Sequence, residues 1–204
     1  MSFYEDRIFP FFMELATRTF RREIADLLQT ADGRVLEIGA GTGANLSYYS
    51  DRVTEVVAIE PVAAMLEKAR TALRHAPHDI PVSLQVADAR KLPFADASFD
   101  SVVACLVFCT IPDPEQAVAE MYRVLKPGGK LIFYEHVASS RPGVRVWQHR
   151  INPVWRKLAC GCEINRDTRT LFEQAGFHYR QIKDFEHPKV PSLMAPIIAG
   201  VALR

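Results

Sequence analysis

The sequence predicts an α/β fold in which a mainly parallel β-sheet is flanked by helices. Short runs rich in β-branched residues alternate with stretches of helical periodicity. Three glycines fall within positions 39–43, directly behind the first of these runs, where such folds turn from strand into helix. The last two predicted strands are joined too closely for a parallel crossover, so we expect them to form an antiparallel hairpin.

Length and composition are those of one domain. A chain of 204 residues, 49% of them hydrophobic, can bury one substantial core but is short for two. We expect a single domain over residues 1–204. Its expected parts are an N-terminal helical cap (1–32), a ligand-binding core (33–137), an insertion or lid (138–165) and a last helix with two strands (166–204).

The predicted elements follow one another in this order. An amphipathic helix ends near Leu28, ahead of the first strand. Strands are predicted over 34–39, 55–60, 83–87, 99–108 and 130–136. Helices are predicted over 44–51, 63–74 and 114–125, the last ended by the Lys-Pro-Gly-Gly turn at 126–129. A helix near 166–175 and strands near 179–185 and 197–203 complete the chain.

The charge balance and the N- and C-terminal segments limit the classes of function that the protein can have. Twenty-five basic and 24 acidic residues nearly balance, so no overall field attracts nucleic acid or an anionic membrane. Charged residues interrupt the N-terminal aromatics, and the apolar C-terminal stretch is too short to span a bilayer. We expect a cytoplasmic monomer or homodimer without a membrane span. The four cysteines lack the spacing of a disulfide framework, so we expect reduced thiols.

The glycine cluster predicts a nucleotide-containing ligand. Glycine lets the backbone turn sharply and approach a ligand without a Cβ in the way. The segment from Gly39 to Ala44 also satisfies a loose dinucleotide pattern, so the glycines alone leave NAD and S-adenosylmethionine open. Glu60 ends the second strand, 21 residues beyond Gly39. A carboxylate there can accept both hydroxyls of a ribose, which fits either ligand.

Two further acids favour S-adenosylmethionine. Asp88, followed by Ala89, ends the third strand at the same sheet edge, where it can accept from an adenine amino group. Glu37 lies just before the glycine turn and can reach the ammonium of the methionine end, directly or by ordering the loop. It would repel a pyrophosphate. An NAD-dependent oxidoreductase and a catalytically idle cofactor-binding protein are the alternatives, although the sequence offers no persuasive hydride site.

Four segments together resemble the class I S-adenosylmethionine-dependent methyltransferases: VLEIGAGTGANL, VVAIEP, VADARKLPFADASFDSVVA and MYRVLKPGGKLIFYEHV. They span roughly residues 33–137 in the order that family has. More narrowly, LVFCTIPDPEQAVAEMYRVLKPGGKLIFYEHV with the later WQHRINPVWRKLACGCEINRDT is similar to the methyltransferase-like thiol S-methyltransferases, whose animal members are membrane-anchored. The chain resembles, less closely, the quinone C-methyltransferases and the phospholipid N-methyltransferases.

This resemblance implies a Rossmann-like, seven-stranded sheet of order 3-2-1-4-5-7-6 with strand 7 antiparallel. It implies S-adenosylmethionine as the cofactor and S-adenosylhomocysteine as its product. The positions that match the family's cofactor-binding residues are Glu37, Gly39, Ala40, Gly41, Asn45, Glu60, Pro61, Met65, Asp88, Ala89, Cys105 and Leu106.

The acceptor is predicted less directly. Methyl transfer from a sulfonium is an in-line displacement, so the protein must mainly hold the acceptor in a dry pocket. The resemblance favours a thiol, with a quinol or a phospholipid-type amine as alternatives. A thiol with a pKa of ~8.5 is mostly protonated at neutral pH, so a base or a positively charged neighbour would help. The candidate bases are His136 and His149.

Aromatic residues outside the core predict a small hydrophobic acceptor, and the candidate substrate residues are Tyr4, Phe12, Phe108 and Trp147. Basic residues between 141 and 157 leave a peripheral membrane contact open. No metal site is expected, because the Cys160-x-Cys162 spacing suits no common zinc module.

Overall fold

The computed structural model describes residues 18–75 and 79–204. Its strands are β1 (Gly33–Ile38), β2 (Val53–Ile59), β3 (Val82–Gln85), β4 (Phe99–Cys105), β5 (Leu125–His136), β6 (His178–Glu186) and β7 (Pro196–Leu203). Its helices are α1 (Arg21–Leu28), α2 (Ala63–His75), α3 (Pro114–Val124), α4 (Pro142–Leu158) and α5 (Thr168–Gln174). Short 3₁₀ turns lie at Arg18–Phe20 and Leu46–Tyr48.

Within these residues the strands form one seven-stranded sheet of order β3-β2-β1-β4-β5-β7-β6. Strands β1 to β5 pair in parallel. Strand β7 runs antiparallel to both of its neighbours, β5 and β6. The order, the antiparallel strand 7 and the closing hairpin expected from the sequence are thereby confirmed.

The central strands are apolar on both faces because helices cover both sides of the sheet. Successive residues alternate between two clusters: Val35 lies in one and Leu36 in the other. Helix α1 packs on the first face through Ile24 and Leu28, while α3 and α5 cover the opposite face. Near-continuous apolar runs are typical of such doubly covered parallel strands. Ligands of such sheets bind at the carboxyl ends of the strands.

The helix predicted over 44–51 is replaced by turns and the 3₁₀ turn Leu46–Tyr48. The three glycines of the loop, Gly39, Gly41 and Gly43, all have positive φ. Helical geometry therefore cannot begin before residue 44. The side chain of Asn45, the next polar residue, bonds to a strand residue instead of capping the short turn. The prediction was wrong because apolar periodicity after a glycine loop does not reveal where the loop ends.

Helix α4, in the predicted insertion, was not expected. Its two prolines and its glycine weaken the helical pattern, but Pro142 stands in the first turn, where the missing N–H costs nothing. Pro153 lies inside the helix and removes one intrahelical hydrogen bond. Tertiary contacts must offset that cost.

Gln148 supplies such contacts from the buried side of α4. Its Oε1 accepts from the Ser139 N–H at 2.8 Å, and its Nε2 donates to the carbonyls of Val137 at 3.2 Å and Leu193 at 2.9 Å. These bonds hold α4 against the chain that leaves β5.

The N-terminal prediction is only partly covered, since residues 1–17 lie outside the described part of the chain. None of the helices in residues 18–75 and 79–204 is long and apolar enough to cross a bilayer. None of the four cysteines, which all fall in those ranges, forms a disulfide.

Candidate active site

The glycine loop after β1 has a backbone that only glycine fits. Gly39 has a φ of +67°, and a Cβ on it would lie 2.3 Å from Cγ2 of Val107. The loop after β4 therefore packs directly on the loop after β1. The Gly41 N–H donates to Oε2 of Glu60 at 3.1 Å, which ties the loop to the end of β2.

Glu37 is the buried acid of β1, with 1% of its surface exposed. Its Oε1 accepts from Nδ2 of Asn45 at 2.9 Å, and its Oε2 accepts from the hydroxyl of Tyr49 at 2.9 Å. Burial raises the pKa of Glu37 to about 7, against the opposing effect of these two bonds. Asn45 was predicted to belong to this site, whereas Tyr49 was not identified from the sequence.

Glu60 stands at the corresponding end of β2 and is 9% exposed. Its two carboxylate oxygens accept from the N–H groups of Gly41 and Val62, both at 3.1 Å. Burial raises the pKa of Glu60, and the two N–H groups partly oppose that. Pro61 beside it is exposed. Met65 on α2 is half-buried, with its Cε 4.0 Å from where a Gly41 Cβ would be.

Asp88 follows β3 and is paired with Arg90. Nη2 of Arg90 lies 2.6 Å from Oδ2 of Asp88, and a second branch of Arg90 reaches Asp113 at 3.2 Å. The hydrogen bonds from Arg90 hold the pKa of Asp88 below its usual value. An adenine amino group would share oxygens already engaged by Arg90. Ala40 and Ala89, also expected at the cofactor, are both buried.

The ends of β4 and β5 continue the same edge. Leu106 has a φ of +57°, an uncommon conformation for a residue with a Cβ. Its N–H donates to the Tyr134 carbonyl at 2.8 Å. Burial raises the pKa of the Cys105 thiol, and the nearby carboxyls of Glu37 and Glu135 raise it further. Cys105 thus lies within electrostatic reach of both acids.

Glu135 is a third buried acid, which the sequence analysis did not identify. Its Oε1 accepts from the N–H groups of Val107 at 2.9 Å and Phe108 at 3.2 Å. Its Oε2 has no hydrogen-bond partner in the described part of the chain. Burial raises its pKa to about 7, although the Val107 and Phe108 bonds and nearby His136 favour the charged form. An acid in the apolar run LIFYEH is the signal that could have found it.

His136 meets two cysteines at the end of β5. Its Nε2 lies 3.4 Å from Sγ of Cys162, and Cys109 completes a buried group of three. Burial lowers the pKa of His136, but Cys162 outweighs burial and the net pKa is raised. The hydrogen bond from Cys109 lowers the pKa of Cys162, and His136 lowers it further. The same pairing, with burial, raises the pKa of Cys109.

The remaining acceptor candidates are not brought together. Phe108 is fully buried and packs edge-on against Phe172, with ring centroids 5.0 Å apart. Trp147 is 55% exposed on α4, with the Arg150 guanidinium 5.5 Å from its ring. His149 is exposed on the same helix, its Nδ1 2.7 Å from Nδ2 of Asn165. Tyr4 and Phe12 lie outside the described residues.

The edge fits an adenosine joined to a charged amino acid. The glycine loop leaves room for a close approach, since the nearest heavy atoms to a Gly41 Cβ are 4.0 Å away. The buried Glu37 carboxyl suits an ammonium group, and Glu60 at the end of β2 suits a ribose. The residues present therefore match the chemistry of S-adenosylmethionine. The loop contacts described above include no positively charged side chain that could bind a pyrophosphate.

Comparisons with known proteins indicate the family of this chain. A family described as "Methyltransferase domain" matches residues 36–133. The chain is 32% identical over 198 residues to thiol S-methyltransferase TMT1B of Rattus norvegicus, covering 94% of this chain and 80% of that protein. It is 37% identical over 134 residues to phosphatidylethanolamine N-methyltransferase of Cereibacter sphaeroides, covering 66% of each. It is 39% identical over 120 residues to demethylmenaquinone methyltransferase of Renibacterium salmoninarum, covering 58% of this chain and 48% of that protein.

Solved structures show the same fold. A methyltransferase structure from Bacillus halodurans C-125, described there as putative, superimposes with a TM-score of 0.69 at 21% identity and covers 89% of this chain and 96% of that one. The family match and the fold agree with each other, and both support S-adenosylmethionine over the NAD-dependent alternative. The chain belongs to the class I S-adenosylmethionine-dependent methyltransferases, and S-adenosylmethionine is its cofactor.

Proposed function

We propose that this methyltransferase acts on a small hydrophobic thiol and methylates its sulfur. The observation that carries the proposal is the extent of the similarity. The thiol S-methyltransferase of Rattus norvegicus matches 94% of this chain, whereas the N- and quinone-directed relatives match 66% and 58%. Residues outside the shared core contribute most to the choice of acceptor, so a match along nearly the whole chain favours a shared acceptor class.

The site chemistry is consistent with a thiol. The cofactor supplies a methyl group on a positively charged sulfonium. A thiolate that accepts this methyl loses its own charge in the same step, and a site sheltered from water favours a step that removes both charges. The roles we assign here are an ammonium contact for Glu37, a ribose contact for Glu60 and orientation of the methionine end for the glycine loop. No covalent enzyme intermediate is needed.

The acceptor thiol must also lose its proton. Of the two candidate histidines, His136 lies on the ligand edge of the sheet and contacts Cys162, while His149 lies on the outer side of α4. We therefore assign the acceptor site to the region around His136. The buried carboxyl of Glu135, the residue before His136, is another group able to take a proton near neutral pH.

A quinol or a lipid amine is the second candidate. It is favoured by the two relatives that carry those activities in their names, which share 37% and 39% identity with this chain over the matched regions. These acceptors would be methylated at the same edge with the same cofactor contacts.

The test is a matched acceptor panel with S-adenosylmethionine labelled in its methyl group. An alkyl thiol, an alkylamine of the same chain length and a quinol are each incubated with the protein. We expect label in the thioether, at least tenfold faster than in the other two products. Transfer to the amine or the quinol with none to the thiol would replace the proposal by the second candidate.

A further inference from the structure

Three metal-ligating side chains converge at the carboxyl ends of β4 and β5. Cys109 lies in the turn after β4, His136 ends β5, and Cys162 lies in the loop after α4. The ligating atoms all lie within 4.8 Å of one another. The three residues are only 3%, 8% and 4% exposed, respectively. Sequence spacing did not reveal the group, because its members come from three separate parts of the chain.

The separation of His136 and Cys162 matches that of two ligands in a tetrahedral zinc site. Zinc bonds of about 2.3 Å to sulfur and about 2.0–2.1 Å to nitrogen, at tetrahedral angles, place a sulfur and a nitrogen ligand about 3.5 Å apart. Nε2 of His136 and Sγ of Cys162 are 3.4 Å apart. That pair already has the separation of one tetrahedral edge, and Sγ of Cys109 is near enough to complete the face.

The backbone holds the two cysteine segments together. The N–H of Glu163 donates to the Cys109 carbonyl at 2.8 Å. Arg166 donates to the carbonyls of Phe108 and Ile111, the latter at 2.6 Å. The loop that follows Cys162 is therefore joined to the turn around Cys109, so the ligand set is ordered by contacts that do not involve the thiols themselves.

Charge and ligand type select the ion. Two thiolates and a neutral imidazole balance a divalent cation, so the site with these three ligands is neutral and can be buried at little electrostatic cost. Thiolate and imidazole ligands suit Zn²⁺, whereas Mg²⁺ and Ca²⁺ require oxygen ligands. In the described chain the group offers three ligands, the number found in catalytic zinc sites, where a fourth position receives water or substrate.

We propose that Cys109, His136 and Cys162 bind one Zn²⁺ ion, and that the thiolate of the methyl acceptor takes the remaining coordination position. The second half rests on the proposed thiol S-methylation, while the first half does not. A zinc-bound thiol is deprotonated at neutral pH, which would supply the nucleophile without a general base.

The proposed methyl transfer breaks one bond for each bond that it forms. The acceptor thiol releases its proton to water when its sulfur binds the zinc ion. The sulfur then forms a bond to the methyl carbon as the carbon–sulfonium bond breaks, and the electron pair of that bond stays on the sulfur of S-adenosylhomocysteine. The neutral thioether is a poorer zinc ligand than the thiolate, so it leaves and the position is open again.

Metal binding is tested without any activity assay. The untagged full chain is loaded with Zn²⁺, dialysed and measured by elemental mass spectrometry, and a second sample is titrated with Co²⁺. We expect about one zinc per chain and, with Co²⁺, the thiolate-to-metal charge-transfer bands of a sulfur-ligated tetrahedral ion. Cys109→Ser and Cys162→Ser should each weaken zinc binding at least tenfold and diminish these bands.

Cys160→Ser is the matched control, because Cys160 lies beside the loop cysteine but outside the ligand group, and it should leave the zinc content unchanged. S-adenosylhomocysteine binding by each variant verifies that it is folded. Zinc lost equally in all three variants, or no zinc retained by the wild-type chain, would overturn the site.

The two proposals fail in different ways. Zinc bound as expected together with methylation of quinols alone would remove the thiol function and leave the metal site standing. Thiol methylation at an unchanged rate by fully zinc-free protein would overturn the acceptor half of the inference and leave the thiol function intact.

Discussion

Three buried carboxyls, Glu37, Glu60 and Glu135, lie at the carboxyl ends of β1, β2 and β5, on one edge of the sheet. Each interrupts or ends an apolar run, and each accepts hydrogen bonds from the loops beside it. A buried acid is costly unless it is bonded or has a function. The first two could be predicted because their spacing from the glycines matches a known ligand geometry. Glu135 was missed, although an acid inside the apolar run LIFYEH marks it, because its hydrogen-bond partners come from a loop 27 residues earlier in the chain.

Glu60→Gln should weaken S-adenosylhomocysteine binding by roughly 10- to 100-fold, since hydrogen bonds to a charged group contribute about 1.5–3 kcal/mol. The substitution removes the charge that orders Gly41 and, in our assignment, binds the ribose. Titration calorimetry measures the affinity.

Glu55→Gln is the control for this change. Glu55 lies on the same strand but is half-exposed and pairs with Arg34 at 2.8 Å, where an ion pair contributes little. Equal losses in both variants would contradict a ligand role for Glu60.

Cofactor binding should depend on pH through Glu37. Its pKa of about 7 in the unliganded protein means that the carboxyl is mostly protonated at pH 6 and mostly ionised at pH 8. A bound ammonium favours the ionised form, so binding lowers this pKa and releases a proton. Affinity for S-adenosylhomocysteine should therefore rise about tenfold from pH 6 to pH 8.

Calorimetry in buffers of different ionisation enthalpy counts the released proton. Glu37→Gln should abolish both the release and the pH slope. Glu135 has a similar pKa, so Glu135→Gln is the matched control and should retain both. A slope that survives Glu37→Gln would assign the effect to another group.

The strands were more predictable than the segments between them. The central strands are apolar runs bounded by turn residues, and burial on both faces makes that signal strong. The helix expected over 44–51 failed because the glycine loop, held by Glu60 and Glu37, sets the local geometry. Helix α4 was missed because Pro153 interrupts its helical sequence pattern. Long-range hydrogen bonds from Gln148, which the local sequence does not reveal, hold the helix in place. Contacts across the fold decide both cases, and local propensity does not carry that information.

Strand β7 contains a glycine that the sheet requires. A Cβ on Gly200 would lie 2.0 Å from the Gln181 carbonyl oxygen, beside the irregular register of β6. Gly200→Ala should lower the free energy of unfolding by at least about 2 kcal/mol, because neighbouring backbone cannot move aside as a side chain can. Urea denaturation measures the loss.

Gly143→Ala on α4 is the comparison, since nothing lies within 4 Å of its Cβ position. It should change stability by no more than about 1 kcal/mol, in the stabilising direction. Similar destabilisation by the two variants would contradict the close contact between Gly200 of β7 and the backbone of β6.

At the scale of the whole molecule, the sheet places residues from distant parts of the chain on one edge. The fold class and the cofactor could be predicted because their signals are local motifs in a fixed order. The meeting of Cys109, His136 and Cys162 could not, because it depends on how the loop after α4 returns to the ends of β4 and β5. In our proposals that edge carries both the cofactor contacts and the zinc site, and the proposed thiol chemistry depends on both.

The most direct test uses one acceptor that carries a thiol and a primary amine on the same apolar chain, incubated with methyl-labelled S-adenosylmethionine. Tandem mass spectrometry locates the transferred methyl group, so binding differences between separate acceptors play no part. We expect the label on sulfur, with one S-adenosylhomocysteine formed for each methyl group transferred. Label on nitrogen, or no transfer by protein that binds S-adenosylhomocysteine, would contradict thiol S-methylation.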